Sequence, residues 1–342
     1  MGTWYTTRED VMSAQDIKAS AHAARDIDRA IEAGARDVDR LLHRRLEPWT
    51  GTRRFDVPGS YANLTRIYFG EQLLISDTTV VTGGETVDAG DYYLYPDAGP
   101  PYWRIEMNQA TLNTWPSDGD DQLTAAITGL WGWTNDELPS GTSVEALDAS
   151  ETGVDISAAP YVGVGSVLRI DDERMIVTNR SWLSTAQTGS LAAQQNARSL
   201  AVADGSVFAA GETLLLESER VLVTDVAGNT LTVQRAVDGS VLAAHTSATI
   251  YASRTLTVQR GALGTTAATH LTSAPIYVWQ PPALAAELNL AYAINTLLQR
   301  QSGYARTVGE GENARESSGR GIRALEKAAL SAYGQQVRKG AV

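Results

Sequence analysis

Two stretches of this 342-residue chain are copies of each other, and so are two more. Gly165–Arg180 (GSVLRIDDERMIVTNR) aligns with Gly211–Val226 (GETLLLESERVLVTDV) at an offset of 46 residues, with Gly, Leu, Glu, Arg, Val and Thr recurring in register. Leu231–His245 (LTVQRAVDGSVLAAH) aligns with Leu256–His270 (LTVQRGALGTTAATH) at an offset of 25. A copied packing unit repeats its fold, so this self-similarity constrains every other assignment. The order of the copies is unusual: one first half (165–180), then a whole unit (211–252), then a lone second half (255–278). That order predicts nesting, with one unit inserted inside another and 165–180 paired in space with 255–278.

The rest of the chain reads as helical ends around a β-rich middle. Thr7 with Asp10 three residues on is an N-cap signal. A longer helix is expected from about Ala21 to Leu46, with Ile27, Ile31, Ala35, Val38, Leu42 and Leu46 on one stripe. Glu32 and Arg36 would pair on its other side, and Pro48 would end it. β-formers begin after Phe55 in 64–69, 78–81, 92–95, 103–107 and 123–128, broken by turn residues such as Gly83-Gly84 and Gly99-Pro100-Pro101. Gly129–Trp133 closes this first β region. Asp171-Asp172-Glu173 and Glu217-Ser218-Glu219 fall at equivalent hairpin tips. Residues 181–200 are small and polar and read as a linker or exposed loop. Helix returns at Pro281-Pro282, with Leu284, Leu288, Ala291, Asn295 and Leu298 on one face, broadened by Leu290, Ile294 and Leu297. Thr307–Gly319 reads as flexible before a partner binds. A last helix carries Ile322, Leu325, Ala329 and Tyr333.

Neither helical end makes a closed core alone, so each apolar stripe needs a cover. The fold class expected is therefore α+β. Residues 1–54 and 283–342 form one discontinuous helical domain, 55–140 a β region, and 141–282 a large antiparallel β insertion holding the duplicated, nested module.

Composition removes several function classes. With no cysteine there are no disulfides, thiolate nucleophiles or cysteine metal sites. No run approaches the ~20 apolar residues of a membrane span, and the opening MGTWYTTRED lacks a secretory n- and h-region. Its match to a myristoylation pattern reads as chance. The net charge of −12 is concentrated in the middle of the chain. Residues 55–282 carry −16, while 1–54 carry +1 and 283–342 carry +3. Such acidity argues against gripping nucleic acid and suits either plain solubility or a surface that DNA slides past.

The chemical motifs are weak. Of the four histidines, His245 and His270 share a repeat position, which a structural role at a turn explains. HExxH is absent, and no metal or cofactor is expected. Asp118-Gly119-Asp120-Asp121 and Asp171-Asp172-Glu173 are carboxylate clusters in turn-like contexts, read as solvated loops rather than glycosidase acids. Gly309–Ala314 nominally fits GxGxxA but follows no strand, and its glutamates would repel phosphate. No P-loop or GxSxG elbow occurs. Trp103, Trp115, Trp131 and Trp133 are expected in cores or subunit contacts, with a sugar platform as the alternative.

Several segments resemble a known family. Thr7–Val11, Ile27–Glu32, Leu42–Pro48 and Thr52–Asp56 resemble the opening of head-to-tail adaptor (connector) proteins of long-tailed actinobacterial phages. Gly99–Tyr102 and Ile127–Trp133 resemble their β region, and the C-terminal helices, ending near Ala332-Tyr333, resemble their close. The likeness spans most of 1–140 and 283–342; the doubled insert at 141–282 departs from it. The resemblance implies a non-enzymatic virion protein at the neck, in a ring of commonly twelve copies under the portal protein. The ring continues the DNA channel without sequence-specific binding and meets the next neck or tail protein, a stopper or tail terminator. Portal-docking candidates carried over by position are Arg320, Arg323, Leu325, Lys327, Tyr333 and Arg338, with capping of the chain's own subunit as the plain alternative. A competing function is a carbohydrate- or capsid-binding β module displayed on the virion, touching the major capsid protein through the insertion. A carboxylate-dependent glycosidase is a third.

Overall fold

The structure, a computed structural model, describes residues 2–15, 23–57, 65–112, 114–301, 307–308, 315–316 and 320–334. It is an α+β fold with N- and C-terminal helices flanking a large antiparallel β region. The helices are α1 (Arg8–Gln15), α2 (Ala24–Leu42), α3 (Ala283–Gln301) and α4 (Arg320–Tyr333). The strands discussed below are β1 (Trp49–Phe55), β2 (Arg66–Tyr68), β3 (Leu74–Thr82), β4 (Glu85–Val87), β5 (Tyr92–Tyr95), β6 (Arg104–Met107), β7 (Ala125–Trp131), β8 (Glu137–Thr142), β9 (Gly153–Asp155), β10 (Val167–Ile170), β11 (Glu173–Leu191), β12 (Ser199–Ala201), β13 (Thr213–Leu216), β14 (Glu219–Ala227), β15 (Thr230–Gln234), β16 (His245–Ala262) and β17 (Pro275–Trp279). The chain divides into two compact units. One comprises Met1–Val38, Glu137–Ala262 and Thr266–Ala328, and the other Asp39–Asp136, Leu263–Thr265 and Ala329–Val342. These units follow tertiary contacts, whereas the three sequence regions follow changes of local pattern, so the two divisions are not the same cut.

In the first unit the helical ends meet. α1 opens on a reciprocal cap: Asp10 N–H donates to Thr7 Oγ1 at 3.1 Å and Thr7 N–H to Asp10 Oδ2 at 2.9 Å. α3 buries Leu288 and Leu297 of the expected face together with Ala285, Asn289 and Ala293, so that a polar residue lies within the buried stripe. Asn289 Nδ2 donates to Ile31 O at 2.9 Å, and Tyr5 N–H donates to Asn289 Oδ1 at 3.0 Å. Gly34 lets α2 and α3 approach there, since a Cβ would fall 2.7 Å from Asn289 Nδ2. Asn289→Ala removes the acceptor of the Tyr5 N–H and the second bond to Ile31 O, whose carbonyl keeps its helical partner, and is expected to cost about 2 kcal/mol in urea unfolding. A cost below ~0.5 kcal/mol would show that the bridge is dispensable.

One expectation about the N-terminal helices changes. α2 stops at Leu42, not Leu46, because His43 takes a left-handed conformation (φ 52°) and Arg44 N–H bonds back to Asp39 O. This is a Schellman-type stop, so the helix ends before Pro48 is reached. Glu32 and Arg36 also hold the N-terminal segment: Arg36 Nη2 donates to Thr3 O and Gly2 N–H to Glu32 Oε1.

The nesting is present as expected. The hairpin β10–β11 pairs Val167 with Ile176 and Ile170 with Glu173, and β13–β14 repeats it with Thr213 on Leu222 and Leu216 on Glu219. β14–β15 (Val223↔Val233) is matched by β11–β16 (Val177↔Val258). The inner module thus closes on itself. The outer one is completed by β16 and β17 from beyond it, with Leu168 opposite Val278. Equivalent side chains fill equivalent cores: Leu168, Ile170, Met175, Val177, Leu256 and Val258 in one, and Leu214, Leu216, Val221, Val223, Leu231 and Val233 in the other. Ten strands make one sheet, in the order β12-β15-β14-β13-β16-β11-β10-β17-β8, with β9 on β16.

Residues 181–200 are not mainly a linker. β11 continues through them to Leu191, pairing with β16 from Ser184↔Tyr251 to Leu191↔His245. The chain enters and leaves the inner module along these two strands, and each satisfies the other's backbone groups. The strand was hidden because its residues alternate half-buried with exposed rather than apolar with polar and bulges break its register.

The second unit holds a four-stranded sheet, β1-β7-β3-β4, and a three-stranded one, β2-β6-β5. They share a core of Ile67, Phe69, Leu74, Val80, Ile105, Ile127 and Trp131, among others. Gly129–Trp131 belongs to β7 itself, whose alternation buries Ala125, Ile127 and Trp131. Of the segment expected to be flexible, Thr307–Val308 pairs with Arg315–Glu316. Its remaining residues, with the GxGxxA match, lie outside the described residues.

Candidate functional site

The chemistry-bearing residues of the repeats form two equivalent clasps. Glu173 Oε1 accepts from Arg260 Nε (2.8 Å) and Gly261 N–H (2.9 Å); Oε2 accepts from Arg260 Nη2 (2.8 Å) and Ala268 N–H (2.9 Å), with His270 Nε2 at 2.9 Å. Glu219 repeats every contact with Arg235, Ala236, Ala243 and His245. The second ring nitrogens of His270 and His245 face Asp171 and Glu217 at 2.8 and 3.0 Å. The turn role read for the two histidines is what they perform here. The reading of 171–173 as a solvated cluster fails at Glu173, which is buried, while Asp171 remains at the exposed tip. Burial pushes both glutamates up in pKa, but the arginine, backbone and histidine hydrogen bonds outweigh it and hold each at about 2. An acid so committed is a poor proton shuttle near neutral pH, so the clasps are fasteners. Asp118–Asp121, by contrast, is an exposed loop whose side chains cap its own backbone.

The second unit contains a cavity of about 630 Å³, lined by His43, Arg44, Arg45, Trp49, Arg53 and Trp131 among others. The αL stop after Leu42 leaves His43 and Arg45 exposed on its rim. β1 pairs with β7 so that Trp49 lies opposite Trp131. The Arg53 guanidinium sits 4.6 Å from the Trp49 ring and 5.5 Å from that of Trp131, a cation–π arrangement. Burial, then the neighbouring Arg45 charge, lowers the Arg53 pKa from its ordinary value, and Glu47 acts against them. Gly132, at φ 144°, is required: a Cβ would fall 2.5 Å from Glu47 O. Its N–H bonds Leu73 O, and Trp133 N–H bonds Leu46 O. Trp133 lies under the Arg44 guanidinium (5.8 Å) and meets Tyr333 edge-on at 5.2 Å. Positive charge beside aromatic faces is a recognition surface for acidic, planar groups.

Arg323 and Lys327 are exposed one turn apart on α4, and Leu325 is half-buried. Tyr333 is half-buried against Trp133, and Ala329 is fully buried. Glu326 accepts from Tyr292 of α3 at 2.8 Å. Arg320 begins the helix, with its side chain outside the described part; Arg338 lies outside the described residues altogether. Arg53 between two tryptophans was not singled out from sequence; interleaved basic and aromatic residues at 44–54 and 131–133 were its signal. Among the described residues no group of His, Asp or Glu is arranged to hold a metal ion. No described helix is long and apolar enough to cross a membrane. No protein-family description, curated protein or solved structure matches the chain.

Proposed function

We propose that this chain is a structural virion protein, a head-to-tail adaptor that forms a ring between the portal and the next neck or tail protein and continues the DNA channel. One observation carries the reading. Three segments of the resemblance that are separate in sequence, Leu42–Pro48, Thr52–Asp56 and Ile127–Trp133, contribute His43, Arg44, Arg45, Glu47, Arg53, Trp131 and Gly132 to the lining of a single basic and aromatic cavity, and Tyr333 packs on the adjoining Trp133. A set of residues that converges in space has a shared task more readily than one that matches by chance. In the ring, a weak contact per subunit becomes firm through repetition, because each engaged copy raises the effective concentration of the next. The acidity of 55–282 suits a channel that must not hold DNA.

Arg323 and Lys327 are the portal-facing charges in this reading, since they are exposed and leave the helix's own packing to Ala329 and Tyr333. Charge reversal, Arg323→Glu with Lys327→Glu, should leave the chain folded and reduce tailed particles at least tenfold, with DNA-filled tailless heads accumulating in electron micrographs. Deleting 320–342 should do the same. Normal tailing in both, or imaging that finds no copy of this chain at the neck, defeats the proposal.

A further inference from the structure

A second cavity, of about 410 Å³, lies in the first unit where the N-terminal segment meets the two β modules. It contains two buried polar atoms with nothing to bond. Asp238 is 6% exposed, and its Oδ2 has no hydrogen-bond donor; the nearest guanidinium nitrogens, of Arg180 and Arg220, stand 4.0 Å away. Arg180 is committed elsewhere, to Glu9 at 3.0 Å and Val162 O at 2.7 Å. Trp4 is 2% exposed, and its indole Nε1 also lacks a partner. Both residues line the same cavity. An unmet buried acceptor and an unmet buried donor on the lining of one cavity suit an occupant that both donates and accepts.

We propose that this cavity binds a small neutral polyhydroxyl ligand, a sugar of one or two rings, whose hydroxyls donate to Asp238 and accept from Trp4. A hydroxyl is both donor and acceptor, so one ligand type meets both orphan atoms. An ammonium only donates and leaves the indole N–H unmet. A carboxylate or phosphate only accepts, and it meets Glu9, Asp10 and Asp238 as like charges. The cavity has the volume of a small-ligand site. Tyr161 adds an aromatic face: its ring is 62% exposed and lies over Gly211, where a Cβ would come within 2.8 Å of it. Such a face suits the C–H side of a sugar ring. This site is independent of the adaptor reading, because none of the cavity residues of the second unit takes part in it.

The test is titration of the full chain, followed by saturation-transfer NMR and tryptophan fluorescence. The probes are glucose, galactose, mannose, N-acetylglucosamine, maltose and trehalose, with acetamide and methylammonium as controls. At least one sugar should saturate. Asp238→Asn should weaken it at least tenfold, and Tyr161→Ala, a change at an exposed ring that leaves the fold intact, several-fold. Failure of every sugar to bind, meaning that water alone fills the cavity, overturns the proposal. So does equal binding by both variants, or saturation by acetamide or methylammonium with the same dependence on Asp238.

Discussion

Glu219→Gln is expected to lower the stability of the chain by about 4 kcal/mol, the largest effect of any single conservative substitution considered. The shape of the side chain hardly changes, but the charge disappears from under Arg235, whose side chain is wholly buried. Arg235 also donates to Ala192 O (2.8 Å), Ala197 O (3.0 Å) and Ala243 O (2.7 Å), so it cannot swing out to water without releasing the loop from 192 to 197. An uncompensated buried cation is what makes breaking such a pair costly. The new amide also presents N–H groups to donors: Ala243 N–H and Arg235 Nη2 both point at Oε2. Urea unfolding measures the loss. Glu173→Gln should cost nearly the same, because Arg260 and Ala268 repeat the arrangement. A loss below ~1.5 kcal/mol at both positions would show that the clasps fasten nothing.

The repeat was the part of the fold most legible in sequence. The offsets of 46 and 25 placed each half-module, and the order of halves gave the nesting that the strand pairing realises. The same offsets also contained the clasp. Glu173 and Glu219, Arg260 and Arg235, and His270 and His245 occupy matching columns. The glutamates and histidines were seen as matching positions, but their joining to the arginines was not, because charge near a hairpin tip is ordinarily solvated and burial comes from loops that sequence alone does not fold over it. Residues 181–191 were missed for a related reason: their partner is the other inter-module crossing, an arrangement that appears only once the nesting is drawn. Asn289 was missed because a hydrogen-bonded amide is invisible to a search for apolar periodicity. The cavity at 42–54 and 131–133 was legible only as scattered family-like segments. Their convergence depends on the Trp49–Trp131 register and the left-handed turn at His43.

Acidification should unfold this protein in a defined window. Glu173 and Glu219 have folded pKa values of about 2, against an ordinary 4.5. Because the folded values are depressed, the stabilisation is complete above pH 4.5 and is lost as pH falls toward 2, where the unfolded chain takes up protons first. With allowance for screening, each clasp then contributes about 2 kcal/mol, so roughly 4 kcal/mol disappears across the window. Asp148 and Asp204, held down chiefly by serine hydroxyls, act in the same direction. Asp238 acts in the opposite one: burial raises it, so its protonation on acidification relieves a buried charge that has no hydrogen-bond donor and offsets part of the loss. Urea unfolding at a series of pH values from 5 to 2.5 should show stability falling with a slope of up to two protons. In the double variant Glu173→Gln, Glu219→Gln, measured at lower urea to allow for its lower baseline, that slope should be nearly flat. A wild-type slope that survives the double substitution would assign the acid sensitivity to other carboxylates and remove the clasps from the account.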